Sequence, residues 1–299
     1  MMDSPQILCA GRIYCDLVFT GLDDAPRPGR EVYADALKIC AGGGAYITAA
    51  YLAALGDAVG LVGMLPAAPF ETVVKEEMQQ NNVRSFCEPT KGQDAQLTAA
   101  LVTGPDRAFV TRRVGAAVPQ QKIDDLPSAK HLHIGELTTA LEHPDLISAA
   151  RQKGMTISLD CSWDGQTITR SDVSDLIAKI DIFLPNEDEA KALERHKTRV
   201  EPKLATIIKQ GDKGATAIME DSATIHAPVA SVQVVDTTGA GDAFNAGFLS
   251  GWLAGSSWEE ALELGNACGS TAVAHVGGAG QLPDLSALRR VGFSAQAAQ

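Results

Sequence analysis

Short apolar runs recur along this chain, separated by stretches whose apolar positions follow a helical period. Residues 6–11 form such a run ending in Gly and read as a buried parallel strand. Residues 43–55 are apolar on every face, which predicts a helix enclosed by the body of the fold. From residue 130 onward the two patterns alternate. Strands are expected at 130–134, 155–160, 181–184 and 204–209, with helices at 144–153 and 187–195. That alternation predicts a parallel sheet flanked by helices. The last third is mostly helical, over 240–254, 258–274 and 285–290.

Two segments depart from this plan. Residues 16–20 and 31–41 are mixed polar and β-branched, and they flank the turn-rich Asp23-Asp24-Ala25-Pro26-Arg27-Pro28-Gly29. Residues 96–102 and 107–114 face one another across 103–106 as a hairpin. Both predict a partly exposed β-sheet outside the main fold. No repeat, low-complexity run or linker divides the chain, so one α/β domain is expected over 1–299, with the extra strands inserted at about 12–41 and 83–115.

Composition narrows the functions. With 45% hydrophobic and 21% charged residues, the chain is an ordinary globular sequence. Lys plus Arg number 25 against 37 Asp plus Glu, a net charge of −12, which argues against a general nucleic-acid binder but not against a small anionic ligand held locally. The six cysteines (Cys9, Cys15, Cys40, Cys87, Cys161, Cys268) are scattered with no C-x-x-C pair, as expected of free thiols in a reducing cytoplasm. No signal peptide is evident, and the apolar stretch 41–65, broken by Asp57, reads as helix then strand rather than a membrane span.

The most informative string is Asp236-Thr237-Thr238-Gly239-Ala240-Gly241-Asp242-Ala243-Phe244. It sets a carboxylate beside a glycine-rich turn at the start of a helix. Glycine lets backbone N–H groups turn toward an anion, and the helix N-terminus adds partial positive charge. Such a nest suits a phosphate, and Asp242 beside it suits a general base acting on a hydroxyl that attacks that phosphate. Without further context Asp242 would read equally well as a residue favouring the helix start. Neither a P-loop string nor a dinucleotide fingerprint occurs, since Gly239-Ala240-Gly241 is followed three residues on by Phe244.

This string resembles the second signature of the ribokinase-like (PfkB) carbohydrate kinase family. Three further stretches keep that family's order: Gly42-Gly43 before an Ala-rich helix ending Leu55-Gly56, Asn186-Glu187-Asp188-Glu189 for its N-x-x-E, and Lys209-Gln210-Gly211-Asp212-Lys213-Gly214 for its nucleotide loop. Together they span roughly residues 6–285. The resemblance implies a three-layer α/β/α core with a mostly parallel sheet, and makes the extra strands a small lid over the substrate. It implies transfer of a phosphoryl group from ATP to a hydroxyl of a monosaccharide or sugar acid, Mg²⁺ as a cofactor, a cytoplasmic location and a homodimer joined lid to lid.

The same resemblance assigns residues. Asp242 is the base, and Gly239, Ala240 and Gly241 form the anion hole. Asp16, Gly42 and Gly43 hold acceptor hydroxyls, with Arg107 and Glu136 as further candidates. Asn186, Lys209, Gly211, Gly214 and Asn266 serve the nucleotide, and Glu189 orders Mg²⁺ through water. Asp236 and Thr238 resemble a monovalent-cation loop for K⁺. Simpler readings stand beside several of these: an N-cap with an acidic first turn at Asn186, a turn cap at Asp236, a solvent-facing Asn266, and an exposed charge at Arg107 and at Glu136.

Departures from the family pattern bear on the acceptor. Lys209 stands where Thr is frequent, Ile47 where Asn is frequent, and Tyr14 where a polar residue is frequent; Gly63-Met64-Leu65-Pro66 replaces a G-x-D. Losing an amide that binds a hydroxyl changes specificity by a few kcal/mol. Ile47 and Tyr14 in one pocket would suit a nucleobase, so a nucleoside kinase is the alternative. A non-catalytic nucleotide or sugar sensor is a third reading, which the retained Asp242 disfavours.

Overall fold

A computed structural model describes residues 4–90, 92, 95–103, 106–280 and 282–293. The first half holds β1 (Ile7–Ala10), β2 (Tyr14–Thr20), β3 (Ala36–Gly42), α1 (Gly44–Ala54), β4 (Val59–Val62), β5 (Met64–Leu65), α2 (Phe70–Gln80), β6 (Arg84–Ser85) and β7 (Glu88–Pro89). It continues with β8 (Leu97–Thr103), β9 (Asp106–Arg112), α3 (Gln120–Asp124), β10 (His131–Ile134), α4 (Leu137–Glu142) and α5 (Pro144–Gln152). Then follow β11 (Thr156–Asp160), α6 (Val173–Ile177), β12 (Ile182–Leu184), α7 (Glu187–Arg195), β13 (Ala205–Lys209), β14 (Ala215–Met219) and β15 (Thr224–Ala227). Three helices close the chain: α8 (Ala240–Leu253), α9 (Trp258–Val273) and α10 (Ser286–Phe293).

The main sheet has the order β15-β14-β13-β12-β11-β10-β1-β4-β6. It is parallel from β13 to β6 and ends in an antiparallel edge formed by β14 and β15. The expected alternation is therefore present, and the antiparallel edge is an addition. Side chains on a strand alternate between faces. Leu8, Ala10, Leu132, Ile134, Ile157 and Leu159 pack into one core layer with α4, α5 and α6. Ile7, Cys9 and Leu61 point the other way, against α1 and α8. Helices thus cover both faces, as a sheet buried on both sides requires.

The second sheet, β3-β2-β8-β9, holds the strands that the sequence reading assigned to a lid. Its strands occupy 14–20, 36–42, 97–103 and 106–112, where the sequence suggested strands at 16–20, 31–41, 96–102 and 107–114. Residues 31–35 lie outside β3, and Arg84–Ser85 pairs with β4 in the main sheet instead of joining the lid. The turn at 104–105 lies outside the described residues.

Helix α1 is enclosed, with Ala45 through Leu52 buried, as its uniformly apolar sequence predicts. All six cysteines are free thiols. Among the described residues no helix is long and apolar enough to cross a membrane.

Helices α8 and α9 pack closely through glycine. A Cβ on Gly247 would lie 2.4 Å from the Leu264 carbonyl oxygen, and one on Gly265 would lie 2.7 Å from the Phe244 ring. Gly247→Val is therefore expected to destabilise the protein by about 1–3 kcal/mol, read from the denaturant midpoint at unchanged slope.

Candidate active site

The carboxyl ends of β10 to β13 and the N-termini of α1 and α8 converge on one cleft, where open α/β sheets place their ligands. Gly239, with φ of 73°, turns the chain into α8. The N–H groups of Gly241 and Asp242 lie in the first helical turn, which has no intrahelical acceptor for them. The Ala240 N–H bends back to the Thr237 carbonyl at 3.3 Å, so it is already engaged. Asp236 fastens the loop from below: Oδ1 accepts from Thr238 N (2.9 Å) and Thr238 Oγ1 (2.7 Å), and Oδ2 accepts from Gly277 N (2.9 Å).

Asp242 is partly open to the cleft. A Cβ on Gly44 would lie 2.7 Å from its Oδ1 and 2.9 Å from the Gly135 carbonyl, so glycine at 44 makes room for the carboxylate. Thr48 Oγ1 donates to the Asp242 main-chain carbonyl at 3.1 Å. Loss of hydration raises the Asp242 pKa well above the usual carboxylate range, and the charges of Asp160, Glu189 and Asp16 add to this while Lys209 opposes it.

The acceptor candidates lie on the lid side. Asp16, on β2, is buried, and its pKa is raised to about 7, chiefly by burial. A Cβ on Gly42 would lie 2.0 Å from Asp16 Oδ2, and one on Gly43, whose φ is 99°, would lie 2.3 Å from the Arg12 carbonyl. The run Gly42-Gly43-Gly44 thus joins Asp16 to Asp242 along one bare stretch of backbone. Glu136 caps this region from the start of α4, accepting from Thr139 Oγ1 at 2.5 Å with Arg12 Nε at 3.8 Å. The Arg107 side chain lies outside the described residues.

The nucleotide candidates lie at the start of α7, at the end of β13 and the turn after it, and on α9. Asn186 and Glu189 form a capping box: Asn186 Oδ1 accepts from Glu189 N at 2.9 Å, and Glu189 Oε2 accepts from Asn186 N at 2.8 Å. The simpler reading of this pair is thus realised, while Oε1 stays outside the cap. Glu189 is buried, and desolvation and the Asp160 charge raise its pKa. Gly211 and Gly214 flank a short 3₁₀ turn after β13, and a Cβ on Gly214 would lie 2.1 Å from the Ala227 carbonyl. Asn266 is buried, not solvent-facing, and its Nδ2 donates to the carbonyls of Ala227 (3.0 Å) and Pro228 (3.3 Å).

Two residues the sequence reading missed stand at the centre. Asp160, at the end of β11, accepts from Lys209 Nζ at 2.9 Å and from Asn245 Nδ2 through a very short bond. Lys209 Nζ also donates to Asn245 Oδ1 at 3.2 Å, and it would lie 3.4 Å from a Cβ on Gly241. Both residues carried a faint signal. Asp160 ends a predicted strand, and Asn245 stands three after Asp242, on the same helix face. Behind Asp160 the same sheet face bears a polar chain, in which Ser158 Oγ lies 2.8 Å from His131 Nε2 and 2.9 Å from His133 Nδ1.

Ile47 does not line the cleft. It is buried, with Cδ1 packed on Gly239 and Gly278 behind the anion loop. Tyr14 lies beside Arg113 and Glu136, and Arg113 Nη1 reaches Asp164 Oδ2 at 3.0 Å. The paired apolar wall that would favour a nucleobase is therefore not formed.

This fold and this nest define a ribokinase-like phosphotransferase scaffold. The pfkB family carbohydrate kinase profile matches residues 4–285. The chain therefore belongs to the pfkB carbohydrate kinases, ATP-dependent enzymes that phosphorylate a sugar hydroxyl. It is 28% identical over 285 residues to an ATP-dependent ribose-1-phosphate kinase of Halopiger xanaduensis, covering 89% of this chain and 90% of that one. A probable sugar kinase from Rhizobium etli superposes with a TM-score of 0.80 at 23% identity, covering 99% of each chain. An Arabidopsis thaliana ribokinase solved with ribose and ATP gives 0.79 at 20% identity, covering 97% of this chain and 99% of that one. Those two likenesses speak to the fold.

Because a methyl group at 42 would displace the Asp16 carboxylate, Gly42→Ala is expected to raise the acceptor KM by about 10²-fold with little change in the ATP KM. Steady-state kinetics with each substrate varied in turn measures the split.

Proposed function

We propose that the protein transfers the terminal phosphoryl group of ATP to a hydroxyl of a monosaccharide or sugar acid held by Asp16 and the Gly42–Gly43 backbone. Asp242 accepts the hydroxyl proton as the acceptor oxygen bonds to phosphorus. The bond from phosphorus to the bridging oxygen breaks, and ADP keeps that electron pair. The N–H groups of Gly241 and Asp242 face the charge on the migrating group. One observation carries this reading: Asp16 and Asp242 border the same bare glycine strip, with the anion nest immediately beyond Asp242.

Glu189 Oε1 is left outside the capping box, and a carboxylate oxygen suits Mg²⁺, an ion that dehydrates reluctantly and is held through water; Asp160 is already bound by Lys209 and Asn245. When bound, Mg²⁺ would neutralise phosphate charge. Asp236 and Thr238 serve here to fasten the anion loop, and a K⁺ ion beside them would add to those bonds without replacing them.

An ADP-release assay over ribose, fructose, 2-dehydro-3-deoxygluconate, ribose 1-phosphate and adenosine tests the reading. Folded protein that turns over none of these would sink it; turnover of adenosine alone would shift the acceptor to a nucleoside. Asp242→Asn is expected to lower kcat by about 10²–10⁴-fold while ATP still binds. Because an elevated carboxyl pKa must be deprotonated for base catalysis, wild-type kcat/KM is expected to rise with pH through a limb above the ordinary carboxylate range.

The outer face of the lid is apolar. Rows Ile39-Leu17-Ala99-Val110 and Leu37-Phe19-Leu101-Ala108 run across its four strands, with Leu37, Ile39 and Val110 exposed. A contiguous exposed apolar sheet face marks an interaction surface, and we infer a dimer joined lid to lid. Light scattering at micromolar concentration is expected to give twice the chain mass, and Val110→Glu to reduce it to that of one chain.

A further inference from the structure

The proposed reaction requires a positive charge where the migrating phosphoryl group sits, and the cleft supplies one in an unusual way. Lys209 reaches from the end of β13 beneath the first turn of α8. Its ammonium lies 2.9 Å from Asp160 Oδ2 and 3.2 Å from Asn245 Oδ1. Asn245 Nδ2 donates to that same Asp160 oxygen, closing a three-membered ring of contacts among β11, β13 and α8. Asp160 and Asn245 are buried, and the Lys209 side chain is only 11% exposed. An ammonium has three donors, and the ring uses two of them. Gly241, the residue whose amide belongs to the anion nest, is bare on the side facing Nζ, at 3.4 Å from a would-be Cβ.

A lysine placed only to pin α8 to the sheet would not need to lie against the nest. Resting on the phosphotransferase reading above, we propose that Lys209 is the cation that meets the terminal phosphoryl group of the nucleotide, and that Asp160 and Asn245 are the residues that position it. Asp160 is the resting partner of the ammonium. It holds the charge in place and shares it when phosphate arrives. Asn245 bridges both partners and ties the ring to the helix that carries Asp242, so base and cation move as one unit.

Three variants separate this role from a structural one. Lys209→Met leaves Asp160 buried and unpaired, and loss of a buried ion partner alone can unfold a protein. The double variant Lys209→Met/Asp160→Asn removes both charges and restores a neutral interior. It is expected to recover the wild-type Tm while kcat stays down by about 10²–10³-fold, the loss that follows removal of one anion-stabilising donor. Calorimetry on the same protein is expected to show ATP binding weakened about tenfold with ADP binding unchanged, since only ATP carries the phosphate that meets Nζ. Asp160→Asn alone, which keeps the ammonium but loosens it, is expected to lower kcat while ATP binds at least as tightly as to wild type. If the double variant regains both Tm and kcat, or loses ATP and ADP binding equally, Lys209 is a structural pin and the proposal falls. Absence of phosphoryl transfer by the wild type itself would overturn the kinase reading instead, and the ATP-against-ADP comparison would still decide the place of Lys209.

Discussion

One ammonium among three carboxylates sets the terms for the rest of the cleft. Asp160, Glu189 and Asp242 approach from the end of one strand and the starts of two helices, and Lys209 is the cation that couples to all three. Burial and the neighbouring acids raise the pKa of Glu189 and Asp242, and a buried carboxylate left alone is costly. The sheet order explains why a lysine is used. β11 and β13 are separated by β12, so their ends stand two strand spacings apart, roughly 10 Å. A long flexible side chain spans that gap from residue 209; a threonine at the same position would not. The sequence departure at 209 and the position of Asp160 are therefore one feature of the molecule.

The second constraint is close backbone approach. Gly42, Gly43 and Gly44 each stand where a Cβ would strike a functional or main-chain atom: the Asp16 carboxylate, the Arg12 carbonyl and the Asp242 carboxylate. The strip lets two carboxylates from different elements reach one side of the cleft. It also brings the N-terminus of α1 close to Asp242, where its partial positive charge opposes the neighbouring acids. Ile47 belongs to this construction. Packed behind Gly239 and Gly278, it braces the anion loop from within the core, which is why its substitution for a polar residue does not open an apolar wall in the cleft.

Much of the fold was legible because strand and helix periods differ strongly where a sheet is buried on both faces. The extents of α7, α8 and α9 agree with the sequence reading to within a residue. The antiparallel β14–β15 edge was not anticipated, since short strands without strong alternation carry little signal. Strand β3 starts later than expected because a polar, β-branched composition marks exposure as much as it marks strand. At the site, the local strings were readable: residues 236–242, the 186–189 cap and the glycines at 42 and 43. The Lys209–Asp160–Asn245 ring was not, because its members are 49 and 36 residues apart in the chain, and only sheet topology brings them together. The burial of Asn266 was not legible for a related reason: its partners are carbonyls, which leave no mark in a sequence.

The balance of charge limits how a nucleotide can be held. Arg12 is committed to Glu142 and Gln96, and Arg113 to Asp164, so neither is a spare cation for phosphate. Asp16, Glu136, Asp160, Glu189 and Asp242 leave the cleft with an excess of acidic groups, in a chain whose net charge is already −12. Long-range attraction therefore cannot draw in a polyanion. Its capture must come from groups at contact range, and the amides of the α8 first turn and the Lys209 ammonium are the ones we propose. The same excess acts in the opposite sense on the acceptor. A neutral hydroxyl suffers no repulsion from Asp16 or Asp242, and it offers both carboxylates the hydrogen bonds that an already anionic site lacks. On the reading proposed above, an acidic cleft with one firmly held cation would receive its two substrates by different means, the acceptor through carboxylates and the nucleotide through backbone and lysine.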